Sequence, residues 1–201
     1  MNEYIVFGRG ELAIFALKFL HKNNVLKGFV ADLPEPEWQE SVVDYCIKNN
    51  IEIIEFHNVE NYLGNNSIGV SIYFRKIFKI DLINKFKYFV NIHNGPLPKY
   101  RGVNPINWAL KNNENSHGVT LHHIDDGIDT GGIIDQEIFS IDSNLEVIDV
   151  YNQCISAGKK IIQNSILKID SLPRIVQDDV VSSYYSKDDF DKLGDRKNFT
   201  R

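Results

Sequence analysis

Residues 4–20 read YIVFGRGELAIFALKFL. The change of period inside this stretch settles the fold class. Tyr4 to Phe7 form a short, wholly apolar run that stops at Gly8-Arg9-Gly10. From Glu11 the apolar residues recur at helical spacing, with Leu12, Phe15, Ala16, Phe19 and Leu20 on one face. A strand too apolar to face water, followed at once by an amphipathic helix, is one half of a βαβ unit.

The pattern repeats downstream. Gly28 to Ala31 read as a second strand. A helix follows with Val42, Val43, Cys46 and Ile47 inward, closed by Asn49-Asn50. Ile51 to Phe56 predict a third strand, Val70 to Phe74 a fourth and Phe89 to Ile92 a fifth. The class expected is therefore α/β, a Rossmann-like, doubly wound and mostly parallel sheet, in which ligands bind beyond the carboxyl ends of the strands. Later, Asn104-Pro105 reads as an N-cap with proline at the first helical position. Val119 to Ile124 and Ile133 to Ile141 predict two strands joined by a long acidic loop. Ser143 and Glu146 read as a capping box. They open a helix with Ile148, Tyr151, Ile155, Gly158, Ile162, Ile166 and Ile169 on one face. The organisation expected is one domain over residues 1–172. A polar tail, 173–201, is left to pack on that domain or on a partner subunit.

Composition excludes several classes of function. A net charge of -5 without any Lys/Arg run argues against nucleic acid as partner. No run approaches about 18 apolar residues, so no membrane span is expected. There is no signal-peptide pattern, and Cys46 and Cys154 read as buried hydrophobes rather than a disulfide or zinc pair. A cytoplasmic setting follows from these expectations.

Three polar features ask for chemistry. Gly8-Arg9-Gly10 joins a strand to a helix start, where amides and the helix dipole suit an anion. It lacks the third glycine of a dinucleotide fingerprint, and Glu11 is a poor neighbour for phosphate. Asn91 and His93 leave one strand at alternate positions, so both side chains share a face. An amide beside an imidazole suits acyl chemistry, one group steadying an oxyanion while the other moves a proton. The loop after the sixth strand supplies carboxylates at Asp125, Asp126 and Asp129, any of which can orient that imidazole. His122 and His123 invite a metal reading with Asp125. Their side chains alternate in a strand, however, and cannot both face one ion, so no metal is expected. No G-x-S-x-G elbow supports serine hydrolase chemistry.

The ordered set NIHNGPLPKYRG (91–102), NPINWAL (104–110), GVTLHHID (118–125) and DTGG (129–132) resembles the core of the 10-formyltetrahydrofolate-dependent formyltransferases. The close match runs from Val70 to Phe139. The resemblance implies catalytic roles for Asn91, His93 and Asp129. An amine attacks the formyl carbon, His93 assists proton removal, Asn91 and protonated His93 hold the oxyanion, and Asp129 orients and balances His93. It implies 10-formyltetrahydrofolate as co-substrate without a metal, its pterin held near Phe74, Arg75, Lys76 and Ile77 and near Asp125, Asp126, Gly127 and Ile128. Within that family the run through Leu97-Pro98-Lys99-Tyr100-Arg101-Gly102 is most similar to enzymes that formylate nucleotide-linked 4-amino sugars. The acceptor implied is a dTDP-4-amino-4,6-dideoxy sugar of surface polysaccharide (O-antigen, lipopolysaccharide) synthesis. Contacts to it fall on Gly8, Arg9, Gly10, Asn94, Gly95, Lys99, Tyr100, Arg101 and Trp108. Glycinamide ribonucleotide formylation, hydrolysis of the folate and an inactive folate-binding module are the alternatives, and a homodimer is left open. The methionyl-tRNA enzymes carry a further carboxyl-terminal domain that this sequence is not expected to include.

Overall fold

The computed structural model describes residues 1–142 and 144–197, with no side-chain description for 195–197. The chain divides into two compact units, Met1–Ile92 and His93–Arg201.

The first unit begins with β1 (Glu3–Gly8), α1 (Gly10–Lys22), β2 (Leu26–Ala31) and α2 (Val42–Lys48). It continues with β3 (Ser67–Ile72), the single-turn α3 (Ile80–Ile83) and β4 (Tyr88–His93). The order β2-β1-β3-β4 is parallel throughout. Residues 4–7 and 68–72 are almost fully apolar and buried, as strands covered on both faces must be. Gly8 ends β1 where a Cβ would stand 2.1 Å from the Ile72 carbonyl oxygen, so the close approach of β1 and β3 requires a residue without one.

The core of this unit is aromatic. Phe7 sits among Phe74, Phe78, Phe86 and Phe89 at centroid distances of 5.7, 5.3, 6.0 and 5.1 Å, three of them edge-on. Such pairs add about 0.5–1.5 kcal/mol each beyond area burial. One cluster thereby ties β1 to the loop after β3 and to β4.

Three elements differ from what their sequence pattern predicts. Residues 51–56 make only a bridge between Ile53 and Phe29, after which Phe56–Tyr62 turn into a 3-10 helix. The apolar run is real, but its backbone engages β2 only through Phe29 N–H to Glu52 and Ile54 N–H to Phe29. Ile47 is 63% exposed, because the seven-residue α2 buries only Val42 and Cys46. On α1 the buried stripe is Leu12, Ala13, Ile14, Ala16, Leu17 and Leu20, with Phe15 and Phe19 half-buried at its margin.

The second unit contains β5 (Arg101–Gly102), α4 (Pro105–Lys111), β6 (Ser116–His123), β7 (Ile133–Ser140), α5 (Val147–Ser165) and β8 (Tyr184–Tyr185). β6 and β7 are antiparallel, while β5 pairs with β8 in parallel. The chain as a whole is α/β with mostly parallel ladders, the class its periodicity implies. Asn104 does precede α4, but in the left-handed conformation (φ 55°) and without a side-chain cap. The capping box of α5 lies at Glu146 and Asp149, whose side chain accepts from the Glu146 amide. The expected partner Ser143 lies outside the described residues. Val147 and Val150 are buried where the pattern predicts Ile148; Ile148 is half-buried. The helix continues into a 3-10 turn at Ile166–Ser171 that buries Ile166 and Ile169. No helix among the described residues is long and apolar enough to cross a membrane.

Replacing Phe7, fully buried, with alanine removes the hub of the aromatic cluster. Urea unfolding is expected to show a loss of about 3–5 kcal/mol. A loss below about 1 kcal/mol would mean that the cluster does not organise this unit.

Candidate active site

β4 ends in Asn91-Ile92-His93, and alternation places the Asn91 and His93 side chains on one face of the strand. His93 is 7% exposed. Its Nε2 lies 2.8 Å from the Tyr100 carbonyl oxygen, which can only accept, so Nε2 carries the proton. Nδ1 then faces Asp129 Oδ2 at 3.4 Å. Tyr100 delivers that carbonyl from a left-handed backbone (φ 63°), a conformation that costs a non-glycine residue about 1–3 kcal/mol.

Asp129 is itself left-handed, with φ 55°. Its Oδ2 accepts the Gly102 amide at 2.9 Å, and its Oδ1 faces His122 Nε2 at 3.4 Å. Gly102 is suited to its place, because at φ 91° a Cβ would meet the Tyr185 carbonyl at 2.1 Å. His122 is 2% exposed and donates through Nδ1 to the carbonyl of His123 at 2.8 Å. One carboxylate thus lies against two imidazoles, each with its other nitrogen committed to a backbone carbonyl.

The electrostatics follow from this arrangement. Burial alone would raise the Asp129 pKa, but His93, His122 and the Gly102 amide outweigh it and hold the carboxyl well below the usual range. For His93, burial is the largest influence and pushes its pKa down from 6.5, while Asp129 and the Tyr100 carbonyl push it up and His122 opposes them. The ring is therefore neutral at rest, with an ionised carboxylate ready for any cation that forms on it. That is the state a general base needs.

His122 is the member of the site that sequence reasoning misses. Its signal is the HHID run, which in the sequence is read as a candidate metal pair and as part of the resemblance, with no role assigned to His122. Among the described residues no group of His, Cys, Asp and Glu is arranged to hold a metal ion.

The other expected residues distribute as follows. Asp125 accepts Gly127 N–H at 3.2 Å and Thr130 Oγ1 at 2.6 Å, shaping the loop that carries Asp129. Asp126, Gly127 and Ile128 are exposed. The Gly95 carbonyl accepts from Thr120 Oγ1 at 2.7 Å, and the Asn94 carbonyl from buried His117 Nε2 at 2.8 Å. Lys99 is exposed, whereas Tyr100 and Arg101 are buried. Arg101 gives its guanidinium to Gln177 and Asp179, and Trp108 stacks on Tyr185 at 4.2 Å. In the first unit, Arg75 Nε binds buried Asp32 at 2.8 Å and Arg9 Nε approaches the same oxygen at 3.6 Å. Lys76 lies over the Phe56 ring, Phe74 stacks on Phe78, and Ile77 is 80% exposed. Gly8 and Gly10 are buried on either side of Arg9.

Residues 56–166 match the family model described as formyl transferase. This chain belongs to that family. It is similar to the sugar 3-N-formyltransferase WlaRD, solved in the presence of dTDP and 5-N-formyl-THF. The two are 34% identical with a TM-score of 0.83, over 94% of this chain and 71% of that one. It is 32% identical to an N-formyltransferase from Helicobacter canadensis in complex with folinic acid and dTDP-3-aminofucose. There the TM-score is 0.84, covering 94% of this chain and 72% of that one. Methionyl-tRNA formyltransferase from Acetivibrio thermocellus is 29% identical over 90% of this chain, which spans 64% of that protein's length.

His117 provides a test of the buried frame. It is fully buried, its Nδ1 has no partner among the described residues, and burial pushes its pKa down to about 4 from 6.5. The unfolded chain therefore takes up a proton near pH 6.5 that the folded chain refuses until about pH 4. Stability is full above that window and falls as pH drops through it, by up to about 1.4 kcal/mol per unit. Urea titrations at about pH 7.5 and about pH 5 should show this loss. The loss should shrink, without vanishing, in His117→Gln, since His123 is depressed in the same direction. An unchanged loss in that variant would show that His117 is not its source.

Proposed function

We propose that this chain transfers the formyl group of 10-formyltetrahydrofolate to the amine of a dTDP-linked amino sugar, as a step in surface polysaccharide synthesis. The observation that carries the reading is buried His93 set between the Tyr100 carbonyl, 2.8 Å from Nε2, and the Asp129 carboxylate, 3.4 Å from Nδ1. The likeness to two sugar N-formyltransferases, both above 30% identity, supports the acceptor class. The sequence reading places the acceptor amine at C4 of the sugar. The 3-amino chemistry of those two relatives favours C3 as the second arm.

In this mechanism the amine attacks the formyl carbon and a C–N bond forms. The Asn91 amide donates to the resulting oxyanion. The amine's proton passes to His93 Nδ1, the nitrogen whose lone pair is free of the Tyr100 contact. The imidazolium so formed is paired with Asp129 and adds to the stabilisation of the oxyanion. Collapse breaks the bond from the formyl carbon to folate N10, and that nitrogen leaves as an amine, taking back a proton. His122 and Gly102 keep Asp129 ionised and aimed at His93 throughout. The catalytic domain is proposed to span residues 1–172. The pterin is proposed to be read by backbone amides, those of Asp125–Ile128 among them, with Phe74–Ile77 as further candidates. Of the remaining candidates for the acceptor, Lys99 is the exposed cation, while Arg101 is held by Gln177 and Asp179.

Two outcomes test this. Mass spectrometry of mixtures with the folate donor and 3-amino or 4-amino dTDP-dideoxyhexoses should show gain of one formyl group. Formylation of methionyl-tRNA or glycinamide ribonucleotide instead, with neither sugar modified, would overturn the acceptor. His93→Ala should lower kcat by about 10²–10⁴-fold. In the wild-type protein kcat/KM should be flat above about pH 6.5 and fall at lower pH, because the base titrates below its ordinary value. An acid limb centred above about pH 7.5, or near-normal turnover by His93→Ala, would contradict His93 as the base.

A further inference from the structure

Residues 175–185 lie outside the segment that matches the family model, yet they bind both loops that build the catalytic centre. Ile175 exchanges both backbone hydrogen bonds with Ile133, each 2.8 Å, just after the Asp129 loop. Ser183 and Tyr185 take the other loop. Tyr100 N–H donates to Ser183 Oγ at 2.8 Å, Arg101 N–H to the Ser183 carbonyl at 2.9 Å, and Val103 N–H to the Tyr185 carbonyl at 2.9 Å.

Between these two anchorages stands Gln177, 8% exposed. Its Nε2 donates to the carbonyls of Asp129, at 2.8 Å, and Gly131, at 2.7 Å. Its Oε1 accepts Arg101 Nε at 3.0 Å and Nη2 at 2.8 Å. Both amide protons and both oxygen lone pairs are used, so the primary amide is saturated by four partners. A carboxylate would put a third oxygen against two carbonyls, and a shorter amide could not reach both sides. Arg101 is fixed from the same segment a second time, by Asp179 Oδ1 at 2.9 Å.

We propose that Gln177 is a positioning residue for formyl transfer, clamping the left-handed Asp129 backbone to Arg101 so that the carboxylate stays aimed at His93. The links close a ring: His93 to the Tyr100 carbonyl, along the chain to Arg101, across Gln177 to Asp129, and back to His93. Gln177 reaches no reacting atom itself. It acts on the one distance in the ring, Asp129 to His93, that is not already within ordinary hydrogen-bond range. An Arg101 held in this way serves the geometry of the site rather than a phosphate.

The inference rests on the formyl-transfer reading, so it is tested by one measurement that needs turnover and one that does not. Gln177→Glu keeps the shape and the Arg101 contact but removes both donors to the Asp129 loop. With wild-type turnover established, kcat in this variant should fall by about 100-fold, the cost of a displacement of about 1 Å. KM for the folate should stay within about threefold if substrate binding is untouched. Independently, ¹⁵N NMR of the histidine rings follows the titration of His93, which Asp129, His122 and His117 face. Losing Asp129 from its side should move that titration to lower pH. Wild-type kcat and an unmoved His93 titration in the folded variant would overturn the proposal, reducing Gln177 to a purely structural tie. If the NMR shift appears but the wild-type protein formylates no amine, the clamp stands and the functional reading fails. Should Gln177→Glu not fold, Gln177→Asn keeps the amide and shortens its reach. The same two measurements then apply, and the same results support or overturn the clamp.

Discussion

The carboxylate of Asp129, 13% exposed, is the point on which the second unit turns. Left alone in an apolar surrounding it would protonate rather than stay charged. It stays ionised because the Gly102 amide donates to it and because positive charge formed on His93, 3.4 Å from Oδ2, favours the carboxylate over the acid, while His122 Nε2 lies at the same distance from Oδ1. Satisfying it in this way forces much of the local architecture. Gly102 must approach within reach of Asp129, Asp129 must adopt a left-handed backbone, and Tyr100 must turn its carbonyl to His93. The strain in these residues is held by the segment around Gln177 and Ser183, whose hydrogen bonds engage both loops at once. Strained non-glycine residues gathered around a titratable cluster are in keeping with the proton transfer proposed for it.

The first unit answers to a different constraint. Its strands are buried on both faces, so their sequences are close to continuous apolar runs. The cluster around Phe7 supplies shape that aliphatic side chains alone would not. Where the chain leaves this sheet it carries charge into a buried position, at Asp32, and neutralises it with Arg9 and Arg75. A buried carboxylate held by two arginines explains why the turns after β1 and β3 are both basic.

Much of this is legible in the residue pattern alone. The strands β1 to β4 announce themselves as short apolar runs, the hairpin β6–β7 as two further strand-like runs and the long helix α5 by a period near 3.6, because burial demands it. Asn91 and His93 stand out as a same-face pair from their spacing. What stays hidden depends on tertiary partners. Ile51 to Phe56 has the composition of a strand, but the structure gives its backbone only a bridge to Phe29. Asn104 has the cap residue and the proline of a helix start, yet its backbone is set left-handed. His122 pairs with His123 in the sequence because they are adjacent, whereas its real partner is Asp129, across the β6–β7 loop. Gln177 carries no local signal at all; its meaning is the set of carbonyls and guanidinium nitrogens brought to it by folding.

The central claim is that Asp129 is held ionised between two histidines. Its most direct test is a ¹³C NMR titration of the Asp129 carboxyl carbon in the folded protein. The shift should stay at its ionised value as the pH is lowered past about 3.8, where an ordinary aspartate is half protonated. A midpoint at or above that ordinary value would show that the histidines do not hold the charge, and the mechanism drawn around His93 would go with it.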